Sequence, residues 1–477
     1  MNSLMTTLKF CSVATIGLLI GAHVNAEGLL DIYEDALQND HQFKAAHAGY
    51  LAGKEDINIS RAGLLPNISG TANWSDSSTE NSGTSPFTPA PTLANHEPVT
   101  VPNSPFSSES DTTTSGYSVT LSQPLFNMAV WHAYKAGKAT SNIAQAQYEA
   151  DKQALIIRSA RAYFNTLKAV DNLETSQAEE NALKHQLEQT QQRFEVGLTA
   201  ITEVHEAQAV YDSALADKLI ARGQLGIDFE ALEVITGQSY QELLPLKENF
   251  PVTPPDPISR MEWERQAVAN NHQLRAASLR AESFRQNAKA SRAAHLPTLT
   301  GNFTLSSNNS ENVSNGNSLF GSNTDSDTTS IGVTLSVPLF AGGGTSASRR
   351  RTNQQYIQQR ENFLQTQRDT IQQVRSQHLS IETSVAIVKA RKQAIKSNES
   401  ALEATKAGYD VGTRDLVDVL NAQRNLFRAK RDYLNALYDY ILSSLELKST
   451  AGLLGDGSLN DLNQWLDGDQ PIRKVSF

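Results

Sequence analysis

Two short segments built around Val-Gly carry the polar residues whose types and spacing suggest a function. In the second segment, Asp415 and Asp418 are three residues apart at the start of a helical pattern, and Asn421 follows after three more. Residues at this spacing share one face of a helix. On an isolated helix they form an ordinary solvated stripe, whereas around a narrow opening shared by several copies they would form rings that attract cations. The first segment offers Glu203 and Glu206 as secondary candidates.

Catalytic and cofactor-binding patterns are the other chemistry to consider, and the sequence does not support them. The ten histidines are dispersed, no His-Glu-x-x-His or paired-Cys motif occurs, and Gly342-Gly343-Gly344-Thr345 lacks the Lys of a phosphate loop. We expect these glycines to turn the chain into a long helix, and His41 and His272 to be packing or surface residues. The sequence therefore predicts no enzyme, no cofactor and no metal site.

The composition and the N-terminus limit the class of protein. The chain has 477 residues, of which 39% are hydrophobic and 19% charged, and its mean hydropathy of -0.40 excludes a polytopic helical membrane protein. A formal net charge of -10 argues against nucleic acid as a partner. Lys9, the apolar run 10–22 and the small residues Val24 and Ala26 predict a secretory signal peptide over 1–26. The single cysteine, Cys11, lies inside it.

Two long stretches without proline dominate the rest of the chain. Residues 125–244 and 339–470 contain none and are rich in good helix formers, so each predicts long helices, with 127–195 as one helix. Each arm has one break, centred on Gly197 or Gly412 and followed by a Thr that could cap the next helix. The sequence therefore predicts two helical hairpins whose tips are turns at these glycines. A basic run, Arg349-Arg350-Arg351, lies near the start of the second long helix, and we expect it to be a solvated face.

The two arms belong to an internal repeat. Residues 193–204 align with 408–419 at an offset of 215, and 39–42 align with 270–273 at an offset of 231. Pro66 aligns with Pro297 at the offset of 231 and Pro124 with Pro338 at an offset of 214, so the first copy carries 17 extra residues between Pro66 and Pro124. This arrangement predicts a signal peptide, a first repeat, a Pro-rich linker, a second repeat and a C-terminal segment, with boundaries at 1–26, 27–244, 245–260, 261–452 and 453–477.

Between the helices of each repeat, hydrophobic residues recur at every second position instead of at helical spacing. Tyr117, Val119 and Leu121 alternate with small polar residues, as do Ile331 and its neighbours, and this alternation predicts strands of about 8–10 residues. The polar segments 76–115 and 307–329 then read as long exposed loops. A soluble sheet with one wet face would also alternate, but the signal peptide and the long loops favour an outer-membrane barrel. Four strands cannot close a barrel, so several copies must share one.

These features together resemble the TolC family of outer-membrane efflux and secretion channels. The resemblance covers essentially the whole mature chain and is most specific in the two Val-Gly turns, in the Pro-Leu-Phe strand ends and in 407–420. It implies an α+β membrane protein: a homotrimer whose 12-stranded outer-membrane β-barrel, with four strands from each chain, continues as a periplasmic α-helical barrel. An equatorial belt would come from about 240–262 and from residues after 445. The family docks on an inner-membrane drug-efflux or ABC transporter through a periplasmic adaptor protein.

The resemblance also implies roles for residues at the hairpin tips. Asp418 would form the constriction ring, and Asn421 stands where the family usually has a second Asp. Tyr409 and Arg414 match the residues that hold the inner helix pair closed, and their partners on the first tip would be Thr202 and Glu203, with Glu in place of the usual Asp. The implied function is an exit duct for small toxic molecules, secreted polypeptides or both.

Two other classes of protein share part of this pattern. A secreted trimeric coiled-coil adhesin or structural protein would explain the signal peptide and the long helices, but it needs no paired strands at equivalent places in a repeat. A periplasmic adaptor would have only one helical hairpin and no lipid-facing strands.

Overall fold

The computed structural model describes residues 26–85, 104–315, 322–468 and 472–473. Its helices are α1 (Leu29–Asn39), α2 (His41–Lys54), α3 (Asp56–Ala62), α4 (Met128–Glu195), α5 (Ile201–Thr236), α6 (Arg260–Asn270), α7 (His272–Ala293), α8 (Gly344–Asp410), α9 (Leu416–Thr450) and α10 (Asp456–Asn463). Its strands are β1 (Asn67–Ser85), β2 (Ser104–Phe126), β3 (Glu242–Leu243), β4 (Thr298–Asn315), β5 (Ser322–Ser336) and β6 (Ile472–Arg473).

The long helices have the predicted extent. α4 has 68 residues and α8 has 67, so each is about 100 Å long at 1.5 Å per residue. Short helices, two long strands, a very long helix and a helix of 36 or 35 residues follow one another twice along the chain. The proposed repeat boundaries and the signal peptide stay predictions, and residues 1–25 lie outside the described part of the chain.

No helix among the described residues combines the length with the apolar composition that crossing a membrane would require.

The chain forms two compact units. One comprises 1–44, 152–263 and 374–477, and the other comprises 45–151 and 264–373. The first unit contains both hairpin tips and the short strands β3 and β6. The second contains the four long strands and the helical segments that join them.

The four long strands form one antiparallel sheet in the order β1-β2-β4-β5. The register places Ile68 opposite Leu121, Leu121 opposite Phe303, and Phe303 opposite Ile331. Directly opposed residues share a face of the sheet, so these four side chains form one apolar row across it. Many large side chains of this face are exposed, as at Ile68 and Ile331. The alternation read from the sequence therefore produces one continuous apolar face.

The charged residues of the long strands also lie on one face of the sheet only. All seven acidic residues of the four long strands lie on the apolar face, beyond the apolar rows and toward the strand ends that are remote from the helices. They are Asp76, Glu80, Glu109, Asp111, Glu311, Asp325 and Asp327. The opposite face of the described strands consists mainly of Ser, Thr, Asn and Gly and carries no ionisable residue. Its hydroxyls contact one another across strands, as in the 2.9 Å pair of Thr71 and Ser118.

The strands are longer than the sequence predicted. They have 19, 23, 18 and 15 residues instead of about 8–10, and most of the segments 76–115 and 307–329, expected to be loops, is strand. The ladder of backbone hydrogen bonds does not need an apolar face, and Thr favours strands, so pairing continues where the hydrophobic alternation ends. The rest of these segments, residues 86–103 and 316–321, lies outside the described residues. The sequence also predicts that part of 84–106 can be deleted without loss of assembly, and this stretch falls largely outside the described residues, so that stays a prediction.

Small residues let the helices of the second unit approach closely. A Cβ added at Gly137 of α4 would lie 2.2 Å from the hydroxyl of Ser60 in α3. In the same unit the rings of Tyr50 and Tyr148 stack with centroids 5.0 Å apart. Gly342 and Gly343 have φ values of 57° and 80° and turn the chain into α8, which begins at Gly344, as the sequence predicted.

The segment 240–262 of the first unit pairs with the C-terminal part of the chain. β3 pairs with β6, and an isolated bridge joins Leu246 to Leu466. The buried Tyr163 of α4 donates a 2.6 Å hydrogen bond to the carbonyl of Leu244. These are the two segments for which the resemblance implies an equatorial belt, and that role stays a prediction.

Candidate functional site

Both hairpin tips use the same turn. α4 ends at Glu195 and α8 at Asp410, and Gly197 and Gly412 follow with φ values of 77° and 79°. In each, the backbone N–H after the glycine donates to a carbonyl five residues earlier, at 2.8 Å, which is the pattern of a Schellman motif. Because a side chain is strained at positive φ, glycine at these two positions explains why both long helices stop there.

The caps of the returning helices differ from the prediction. Thr199 and Thr413 were expected to be N-caps, but α5 is preceded by Ala200, which makes no side-chain cap, and α9 by Asp415. The Asp415 carboxylate accepts a 2.8 Å hydrogen bond from the backbone N–H of Asp418. The Thr413 hydroxyl instead donates back to the carbonyl of Gly408 at 3.0 Å. Asp415 therefore has a structural task at the start of α9.

A small apolar cluster lies behind the tips. Leu183 and Leu187 of α4, Ala207 of α5, and Leu416 and Leu420 of α9 are buried in it. Tyr409, at the end of α8, packs against this cluster and is partly buried. The cluster therefore joins all four helices of the two tips and fixes where their polar residues project.

Tyr409 links the two tips through its hydroxyl and its ring. Its Oη lies 3.4 Å from Oε2 of Glu203, to which it donates a long hydrogen bond. The guanidinium of Arg193 lies over the ring, 5.0 Å from the centroid, within the range of a cation–π interaction. Partial burial raises the pKa of the Tyr409 hydroxyl, the Arg193 charge opposes this rise, and the Glu203 carboxylate adds to it. The contact expected between Tyr409 and Glu203 is present.

Arg414 has a different partner from the one implied by the resemblance. Its Nη1 lies 3.3 Å from Oδ2 of Asp418, and this is the ion pair that Arg414 makes among the described residues, rather than one with Glu203. The two residues are four apart at the start of α9, close enough to meet across one helical turn. The side chains are 60% and 41% exposed.

Gly408 makes room for the Arg414 side chain. A Cβ added at Gly408 would lie 2.9 Å from Cγ of Arg414 and 3.2 Å from the Thr413 hydroxyl. A carbon–carbon contact of 2.9 Å requires a shift of one partner, so the path of Arg414 toward Asp418 depends on glycine at position 408.

The other candidates lie around this cluster. Asn421 is exposed one turn after the half-buried Asp418 on α9, and Thr202 and Glu206 are exposed at the start of α5. Gln423, two residues after Asn421, is buried, with 5% of its surface exposed. The structure thus brings Asp418, Arg414 and Asp415 together on one tip and joins Tyr409 to Glu203 between the tips. The roles assigned to these residues stay predictions.

Sequence reasoning missed Arg193 and the reason for Gly408. The repeat aligns these two positions with each other, and the residues differ, so the alignment itself gave no sign of a contact. Arg193 reaches the ring of Tyr409 on the other tip, whereas Gly408 faces Arg414 across its own turn. Neither contact has a signal in the sequence.

Among the described residues, no group of three or more His, Cys, Asp or Glu side chains is placed to hold a metal ion.

Comparison with known proteins gives a consistent picture. The family model described as outer membrane efflux protein matches residues 32–238 and 263–453. The outer membrane protein TolC of Vibrio cholerae serotype O1 is 37% identical over 456 residues, which is 95% of this chain and 97% of that protein. The alkaline protease secretion protein AprF of Pseudomonas aeruginosa is 28% identical, over 96% of this chain and 91% of that protein.

A solved structure shares the fold. The outer membrane protein VceC of Vibrio cholerae superposes with a TM-score of 0.68 over 89% of this chain and 96% of that chain, at 20% identity. The fold class predicted from the sequence is therefore confirmed. On the family match and the extent of these similarities, the chain is an outer-membrane channel protein and belongs to the outer membrane efflux protein family.

Proposed function

We propose that three copies of this chain form one exit duct across the outer membrane, and that the two hairpin tips of each copy form its gate. The sheet supports the shared assembly. β1 and β5 are its two outer strands, and each leaves an edge without a partner strand among the described residues. A lipid environment does not tolerate open edges, and four strands are too few to close a barrel.

The observation that supports the proposed gate is the side-chain contact between the two tips. Tyr409 at the end of α8 contacts Glu203 at the start of α5, so the two hairpins of one chain are held together at their ends. Loss of this contact frees the second hairpin to move. In the trimer, Asp418 of three chains forms the constriction ring, with Asn421 as a neutral ring beside it.

The cargo and the partners follow from this mechanism. The duct is a passive channel that opens at its tip when a periplasmic adaptor protein and an inner-membrane transporter engage it. One relative is named for protease secretion and the matched family for efflux, so the duct serves an efflux pump, a type I secretion system or both. The relatives are channel proteins, which does not favour the alternatives of an adhesin or an adaptor.

Two measurements test the proposal. The detergent-extracted protein should come from the outer-membrane fraction with the mass of a trimer, and a monodisperse monomer would contradict the shared barrel. In planar bilayers the trimer should show low, cation-preferring conductance that multivalent cations block from the helical side. A large conductance that multivalent cations do not affect would place the constriction elsewhere and remove the gate.

A further inference from the structure

Basic residues that take no part in the proposed gate lie at the end of the long sheet where its strands join the helices. Every long strand joins a helical segment at the same end of the sheet, because Asn67 lies opposite Ser122 and Thr298 opposite Ser336. On that side, residues 57–66, 127–148, 286–297 and 337–360 contain nine Lys or Arg and no Asp or Glu. The far end of the strands carries only acidic charge, so the two ends of the sheet differ in sign.

Six of the basic residues form what we call the basic collar. They are Arg61, Lys135, Arg292, Arg349, Arg350 and Arg351, and all six are exposed. No ion pair among the described residues involves any of them. The repeat places Arg61 opposite Arg292 at the offset of 231 and Lys135 opposite Arg349 at the offset of 214, so all four junctions carry a positive charge.

The collar adjoins the apolar face of the sheet. Next to the helices, Leu125 and Phe126 at the end of β2 and Leu339 and Phe340 after the end of β5 are exposed, Leu339 at 92% and Phe340 at 89%. Arg349 to Arg351 lie about 8–11 Å from the start of α8 at Gly344, at 1.5 Å per residue. A headgroup layer is of this order of thickness, and helical side chains tilt toward the helix N-terminus, which here is toward the sheet.

The aromatic residues at the same level fit a membrane boundary. Trp131 is exposed near the start of α4, and Nζ of Lys135 lies 5.3 Å from its ring centroid. Amphipathic rings and long basic side chains are the residues that favour the level of lipid headgroups. Arg349 to Arg351 lie in the second turn of α8 and make no ion pair among the described residues, so their charges are available to an external anion.

We propose that the basic collar binds the anionic headgroups of phospholipids in the membrane leaflet on the helical side of the sheet. The occupant is a glycerophospholipid with net negative charge, held through its phosphodiester by Arg and Lys while its chains lie against the apolar rows. The collar thereby sets the depth and the direction of the sheet in the membrane. This inference concerns the membrane contact and is independent of the gate.

Spin-labelled lipids give a direct test. The assembled channel is reconstituted in phosphatidylcholine vesicles with a trace of spin-labelled phosphatidylglycerol or phosphatidylcholine, and the fraction of label immobilised by the protein is measured. We expect a preference for phosphatidylglycerol that salt weakens. The variant R349Q/R350Q/R351Q should lower this preference about five-fold or more, the effect expected for at least one basic residue at an anionic surface.

A matched control removes the same charge elsewhere on α8. K389Q/K392Q/K396Q neutralises three exposed lysines about 60 Å further along the helix and should keep the preference of the native chain. The proposal is wrong if the arginine variant assembles normally and keeps its preference, if both variants lose it equally, or if the native chain shows none.

Discussion

The guanidinium of Arg414 lies 3.3 Å from the carboxylate of Asp418, four residues further along the chain. The resemblance assigns Arg414 to the latch and Asp418 to the constriction, and the structure pairs these two residues with each other. A change in either residue therefore alters the net charge beside the other.

Asp418→Asn should weaken block by multivalent cations. A trivalent ion about 6 Å from one carboxylate in water gains roughly 2 kcal/mol, and three copies lose this charge together. We expect the blocking concentration of hexamminecobalt to rise by about ten-fold or more and cation preference to fall, measured on single channels in planar bilayers. Because Asn421 is already neutral, this one substitution should remove most of the block. An assembled Asp418→Asn trimer with unchanged block would redirect attention to Asp415, Glu203 or Glu206.

Arg414→Ser should act in the opposite direction on block. It removes the positive charge beside Asp418, so the ring becomes more negative and the blocking concentration should fall roughly two- to five-fold, in keeping with an exposed ion pair. Conductance should rise as well if the tip loosens. The double variant Arg414→Ser/Asp418→Asn separates the two effects, since it should keep the higher conductance without the stronger block.

Gly408→Ala should reproduce the effect of Arg414→Ser on block without touching either charge. The new Cβ would lie 2.9 Å from Cγ of Arg414 and force that side chain away from Asp418. Gly223→Ala is the control, because Gly223 lies inside α5 with open space around it. That change should leave the block unaltered and stabilise the helix by up to about 1 kcal/mol. Equal behaviour of the two alanine variants would show that the Arg414 path does not matter.

The ring and the hydroxyl of Tyr409 should contribute separately to closure. Tyr409→Phe removes the hydrogen bond to Glu203 but keeps the ring under Arg193, so it should raise conductance less than Tyr409→Leu. In the Phe background, Arg193→Gln should shift the open-to-closed ratio a further two- to five-fold, as expected for about 0.5–1 kcal/mol of cation–π interaction. In the Leu background the same change should have no further effect. Equal effects in both backgrounds would mean that Arg193 acts on something other than the ring.

Asp171 of α4 should make stability depend on pH. Burial raises its pKa to about 6, although the Tyr438 hydroxyl donates a 2.6 Å hydrogen bond to it. The folded chain therefore holds this proton more tightly than the unfolded chain, whose value is near 4. The resulting stabilisation is complete below pH 4 and is lost as pH rises through 6, up to about 3 kcal/mol per chain.

Asp171→Asn should accordingly raise the melting temperature at pH 8 and flatten its pH dependence between about 4 and 6. Asp439→Asn is the control, because Asp439 is 64% exposed and pairs with Lys168 at the surface. Its effect should stay within about 0.5 kcal/mol at any pH. If the Asp171→Asn variant melts with the native pH dependence, Asp171 does not carry the buried charge.

The sequence predicted the elements with strong periodic signals and missed those without one. The proline-free runs predicted α4 and α8 nearly to their ends, and the alternation around Val119 and Ile331 predicted the sheet and its apolar face. The outer halves of the strands were taken for loops, because Ser, Thr and Asn on both faces leave no hydrophobic period. At the site, glycines with positive φ were readable from the repeat. The contacts of Arg193 and Arg414 were not, because they depend on the paths of side chains between the two tips and at the start of α9.

The uncharged polar face of the sheet has a consequence for electrical measurements. In the duct that we propose, this face lines the wide conduit, and the described strands place no ionisable group on it. In that proposed duct the wide conduit and the narrow tip conduct in series, and a conduit without charged groups adds resistance without rectification or ion preference. A reversal potential measured across the whole channel therefore reports the narrow helical tip almost alone, so substitutions among the strand hydroxyls should leave it unchanged.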